Sequence, residues 1–119
     1  MEPIGRRRWA IAEGYIPPAS TGQGRALESH ETACLLNAGE RDAHVEITVF
    51  FSDRDPRPPH RLTVPARRTL HVRFNDLGVP ADTDFASVIE SDVPIVVQHT
   101  RLDSRQAALA LLSTVAYGD

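Results

Sequence analysis

The chain contains no lysine; all thirteen basic residues among its 119 are arginines. Arginine presents a planar fork that grips a carboxylate or phosphate through two parallel bonds, which the compact lysine ammonium cannot do. Sixteen acids leave a net charge of −3, which argues against wholesale coating of nucleic acid. A local basic patch such as Arg6, Arg7 and Arg8 remains compatible with that balance. Cys34 is the single cysteine, so neither an internal disulfide nor a cysteine zinc site can form, and a reducing compartment fits. No run approaches the roughly 18 apolar residues of a membrane span. The apolar stretch behind the N-terminal arginines, Trp9 to Ala12, stops at Glu13, short of the roughly 7–15 residues of a secretory leader. The expectation is a soluble, cytoplasmic protein. With no repeat, low-complexity tract or dividing linker, residues 1–119 read as a single domain.

What is present is alternation, the mark of half-buried strands. In "DAHVEITVFF", Val45, Ile47, Val49 and Phe51 fall on one face; in "RTLHVRFND", Leu70, Val72 and Phe74 do the same. "RWAIAEG" supplies an N-terminal strand, and "SHETACLLNAG" a strand ending on the turn signal Asn37-Ala38-Gly39, read as the connection of a hairpin. "DFASVIES" and "PIVVQHTRL" read as two strands separated at Asp92 and Pro94. Prolines in "YIPPAS" and "RDPRPPH" mark loops and edges. In the tail, Asp103 and Gln106 stand at capping-box spacing before alanines and leucines, while "LLSTVAY" suits a strand. The pattern predicts an all-β, antiparallel, jelly-roll-like sandwich of about eight strands, with at most a short helical turn near residues 104–108.

The stretch "PIVVQHTRLDSRQ" concentrates hydrogen-bonding side chains behind a buried-looking strand. Ser104, His99 and Asp103 have the residue types of a catalytic triad. They lack the G-x-S-x-G context that exposes a nucleophile, and no catalytic set emerges. On an alternating strand, Ile95, Val97, His99 and Arg101 share a face, with Asp103 following and Arg105 in the turn. That order suggests a charge-paired network that builds a subunit interface or lines a pocket beside one. Trp9, Glu13 and Tyr15 join His99, Arg101, Asp103 and Arg105 as candidates for a small polar ligand or a sugar, by stacking and fixed hydrogen bonds. Trp9 as a core anchor is the competing reading. Arg6, Arg7, Arg8, Arg67 and Arg68 are candidates for contact with a partner or with DNA phosphates. The histidines show no HxH or HxxxH spacing that would force metal ligands together, and neither a metal nor a cofactor is expected. "NDLGVPADTD" holds Asp76, Asp82 and Asp84, which turn chemistry explains more simply than a cation.

The strings "WAIAEGYIPP", "SHETACLLNAGERDAHVEITVFFSD", "LTVPARRTLHVRFNDL", "DTDFASVIESDVPIVVQHTRLDSRQ" and "ALLSTVAY" together resemble the family of soluble sensory rhodopsin transducers, from about Ile4 to Tyr117. Departures cluster in the loops, around "ASTGQGRAL", "RDPRPPH" and after Leu77. The resemblance implies a β-sandwich assembling as a homotetramer, similar in fold to carbohydrate-binding modules. It implies a non-enzymatic adaptor that couples a membrane photoreceptor or other receptor to a downstream response, with DNA as a further partner. A small-molecule or carbohydrate-binding module is the alternative.

Overall fold

The structure is a computed structural model that describes residues 2–22 and 24–119. Eight antiparallel strands follow in chain order: β1 (Arg6–Ile11), β2 (His30–Asn37), β3 (Ala43–Phe51), β4 (His60–Val64), β5 (Arg68–Arg73), β6 (Phe85–Asp103), β7 (Ala110–Val115) and β8 (Tyr117–Gly118). The all-β architecture is as the alternation predicts. The helical turn expected at 104–108 is absent. There, Asp103 accepts the Arg105 backbone N–H at 3.1 Å, so the would-be cap closes a tight turn into β7. Single 3-10 turns occur instead at Arg25–Leu27 and Phe74–Leu77.

The organising element is β6. Its first half pairs with β3 and β1, giving the strand order β4-β3-β6-β1-β8. Its second half pairs with β2 and β7, and β5 lies beyond β2. The hydrogen-bonded sheet is therefore continuous, yet both halves send side chains into one core, including Leu35 and Val97 from one and Ile47, Val49 and Ile89 from the other. The expected break at Asp92 and Pro94 does not occur. Pairing with β3 ends at Ser91 and pairing with β2 starts at Leu36 opposite Val96. Pro94 thus falls between the β3 and β2 ladders and, on the β1 side, within the break of register between Glu90 and Ile95, so its missing N–H is not called on.

The segment after Asn37 is a turn but not a hairpin, because β2 and β3 pair with different halves of β6 rather than with each other. Asn37 is fully buried and fixes this crossover. Its Nδ2 donates to the Arg41 and Val64 carbonyls at 2.8 and 3.0 Å, and its Oδ1 accepts the Gly39 N–H at 3.0 Å. The β4–β5 turn joins it through Arg67 N–H to the Gly39 carbonyl, 3.1 Å. Gly5 closes the same end with φ of 114°, and a Cβ there would lie 1.9 Å from the Ile95 carbonyl oxygen. Short connections thus seal one end of the molecule, and the longer loops gather at the other.

Candidate functional site: a buried carboxylate at the open end

Along β2 the inward residues are Asn37, Leu35, Ala33 and Glu31; along the second half of β6 they are Ile95, Val97, His99 and Arg101. Register sets Leu35 opposite Val97, Ala33 opposite His99 and Glu31 opposite Arg101. The core therefore turns from apolar to charged as it nears the open end. Glu31 is 0% exposed and His99 2%. The Glu31 carboxylate accepts from His99 Nε2 on one oxygen, and from Arg101 Nε and the Tyr15 backbone N–H (3.2 Å) on the other. A buried carboxylate needs such donors, since an unpaired charge in the interior is far more costly than a paired one. Asn75 braces the same strand, accepting the Glu31 N–H at 3.3 Å and donating to the Ser29 carbonyl at 3.1 Å.

Arg101 bridges this interior to solvent by donating from Nη2 to Glu13 at 2.7 Å. Burial opposes its charge, but the bonds to Glu13 and Glu31 outweigh that and hold its pKa above the ordinary arginine value. Arg105 clasps Asp103 (Nη2 to Oδ2, 2.6 Å) and lies 5.9 Å from the Tyr15 ring centroid. The Arg105 bonds hold Asp103 below the usual carboxylate range. The Tyr15 hydroxyl donates to Asp82, which pushes the phenol up from its ordinary pKa.

Of the residues singled out by sequence, the structure brings Glu13, Tyr15, His99, Arg101, Asp103 and Arg105 to this end. Trp9 is not among them. Its ring is buried, and its Nε1–H donates to the Arg6 and Ile95 carbonyls, both at 3.0 Å, so it serves as a core anchor. The triad geometry is absent, because Ser104 is buried against the Ser29 hydroxyl (3.0 Å) while His99 faces Glu31. Glu31, the centre of the cluster, escaped sequence reading as a centre. Its two-residue spacing from Ala33 and Leu35 was the available signal. Arg6–Arg8 open β1, while Arg67 and Arg68 occupy the β4–β5 turn and the start of β5, at the sealed end. No group of three or more His, Cys, Asp or Glu residues able to hold a metal converges among the described residues. Asp76 is taken up by Arg25 at 2.5 Å and Asp82 by Tyr15. Among the described residues no helix is long and apolar enough to cross a membrane.

The family model described as the Anabaena sensory rhodopsin transducer matches residues 4–118. The chain belongs to the sensory rhodopsin transducer family. Two of the solved structures that resemble it illustrate the match. The Anabaena sensory rhodopsin transducer is 68% identical, with a TM-score of 0.77 over 90% of this chain and 96% of that one. The crystal structure titled Thermotoga maritima 1070 is 35% identical, with a TM-score of 0.89 over 97% of this chain and 96% of that one. No curated protein matches the chain. In this chain the His99–Glu31–Arg101–Glu13 contacts run from the buried interior to one exposed terminus at Glu13, and Arg101 is held by two carboxylates.

Proposed function

We propose that the chain is a non-enzymatic, cytoplasmic signalling adaptor that works as a homotetramer and docks on a membrane receptor of the sensory rhodopsin class. The observation that carries this reading is the 68% identity to the Anabaena transducer over nine-tenths of the chain. Self-association draws support from β7. All six of its residues, Ala110–Val115, are exposed although the strand is hydrogen-bonded to β6, with Leu111 at 70% and Val115 at 59%. It carries no charge and no proline, the devices that protect an exposed strand edge from pairing. Exposed Leu36 extends the apolar surface on β2.

The ligand-binding alternative has less behind it. Trp9 packs in the core, and Arg101 and Arg105 are engaged by Glu13, Glu31 and Asp103 rather than held open for a sugar or an acid. DNA has the sealed-end arginines in its favour but no aromatics interleaved with them for stacking on bases. The deciding experiment is co-purification of the full chain with a sensory rhodopsin in detergent, with the mass of the free chain measured by light scattering. Retention of a tetramer on the receptor is the expected result. A monomer that ignores the receptor would overturn the proposal.

A further inference from the structure

The arginines differ in how they are held: Arg8 pairs with Asp119, Arg73 donates to the Arg25 carbonyl, and Arg57 lies over the Phe51 ring. At the open end Arg25, Arg54, Arg101 and Arg105 are each bonded to an acid. At the sealed end Arg6, Arg7, Arg41, Arg67 and Arg68 are all exposed, and none has a carboxylate partner among the described residues. The fold assembles this second set from three segments. Arg41 belongs to the β2–β3 crossover and Arg67 to the turn hydrogen-bonded to it at Gly39. Arg68 opposes Asn37, and Arg6 opposes Ile95 on the far side of β6. The acids at this end are Glu2, Glu40, Asp42 and Asp92; Asp42 accepts the Ala66 N–H at 2.9 Å, and Asp92 accepts the His44 N–H at 2.8 Å. Arg67 holds φ of 59°, a backbone region that glycine or asparagine fills more cheaply. Beside the arginines stands Ile4, more than half exposed.

From this arrangement we infer that the sealed end is a contact surface for an anionic lipid bilayer. The inference rests on the transducer reading, in which the chain works at a membrane receptor. Unpaired guanidinium groups answer phosphate headgroups, and an exposed isoleucine among them suits the boundary between headgroups and acyl chains. The apolar residue favours lipid over nucleic acid, as does the lack, among the described residues, of a helix longer than a single 3-10 turn to enter a groove. Asn37 and Glu31 are six residues apart on β2, which at a rise of about 3.3 Å places the acidic open end roughly 20 Å away. That exceeds twice the screening length of about 8 Å at physiological salt, so a charged plane at the sealed end feels the arginines and little of the net −3. Attraction of this size is weak per residue, about five-fold in partitioning for each arginine, and a tetramer presenting several such ends gains by multivalency.

The test is co-sedimentation of the full chain, without receptor, with vesicles of phosphatidylcholine alone or mixed with phosphatidylglycerol. Binding to the mixed vesicles only, falling as salt rises, is the expected result. Arg67→Gly suits the left-handed backbone and so removes charge without harming the turn; it should lower partitioning about five-fold. Arg67→Glu combined with Arg68→Glu should abolish binding, and Ile4→Asp should weaken it, while Arg57→Glu at the open end binds as the parent does. Equal binding to both vesicle types, or an unchanged Arg67→Gly variant, overturns the inference. So does tighter binding to a random-sequence duplex than to the mixed vesicles at the same salt. A chain that binds the receptor in detergent yet ignores vesicles overturns only this inference and leaves the transducer reading standing.

Discussion

His99 on β6 hydrogen-bonds Glu31 on β2 along the diagonal of the ladder: Glu31 directly faces Arg101, and His99 directly faces Ala33. The small alanine side chain opposite His99 leaves the imidazole room to lean toward the carboxylate. Because Glu31 is also bonded to Arg101, one buried acid ties two positions of β6 to β2 and, through the Tyr15 N–H, to the loop after β1. Removing a partner from such a cluster should cost more than removing the cluster.

Arg101→Ala leaves Glu31 charged, buried and one donor short. A loss of about 3–5 kcal/mol of unfolding free energy is expected, read from urea denaturation. Glu31→Gln in the same background should recover part of it, since the uncompensated charge disappears. Equal stability of Arg101→Ala and the parent would show that Glu31 does not depend on this ion pair.

Asn37→Ala removes a buried side chain with bonds on both its amide nitrogen and its oxygen. Backbone groups of two turns lose partners, so a destabilisation of about 1–3 kcal/mol is expected in the same denaturation experiment. Asn37→Asp should be worse, because a carboxylate cannot donate to the Val64 and Arg41 carbonyls.

Gly5→Ala tests the sealed end from the other side. A methyl group 1.9 Å from the Ile95 oxygen, on a backbone at φ 114°, cannot be accommodated without displacing β1 from β6. Thermal denaturation should show a clear fall in Tm, whereas Gly24→Ala, with open space around its Cβ, carries only the backbone cost of its positive φ.

Asp92 and Asp103 both titrate below the usual carboxylate range. The main causes are the His44 backbone N–H for Asp92 and the Arg105 side chain for Asp103. A folded-state pKa below the unfolded one means that the unfolded chain binds more protons. The stability these groups contribute is therefore present above the unfolded value near pH 4 and is lost as pH falls through the folded one. Asp92→Asn and Asp103→Asn should each flatten the acid limb of a stability–pH curve. A limb of unchanged steepness would count against both assignments.

Leu111→Glu with Val115→Glu places charge on the two most exposed large apolar side chains of β7 without touching the core. Light scattering should report smaller particles of unchanged secondary structure. A full-size assembly in the double variant would remove β7 from the contact surface.

Much of this was legible in the chain. Alternation located β3, β5 and the second half of β6, because their two faces meet different environments, and strand-compatible segments placed β1, β2 and the first half of β6. The continuity of β6 was hidden by Pro94, since whether a proline breaks a strand depends on which neighbours the strand has at that point. The crossover after Asn37 read as a hairpin because turn residues report a change of direction, not the partner of the next strand. At the site, shared strand parity joined His99 to Arg101. The role of Glu31 depended on register between segments seventy residues apart, which no local pattern encodes.

The strand shared by both halves has a mechanical consequence. The two halves are joined between Ser91 and Val96 by the unbroken backbone of β6, where neither the β3 nor the β2 ladder runs, and by one core to which both contribute. A displacement imposed on one half would then reach the other through that single strand and the shared core.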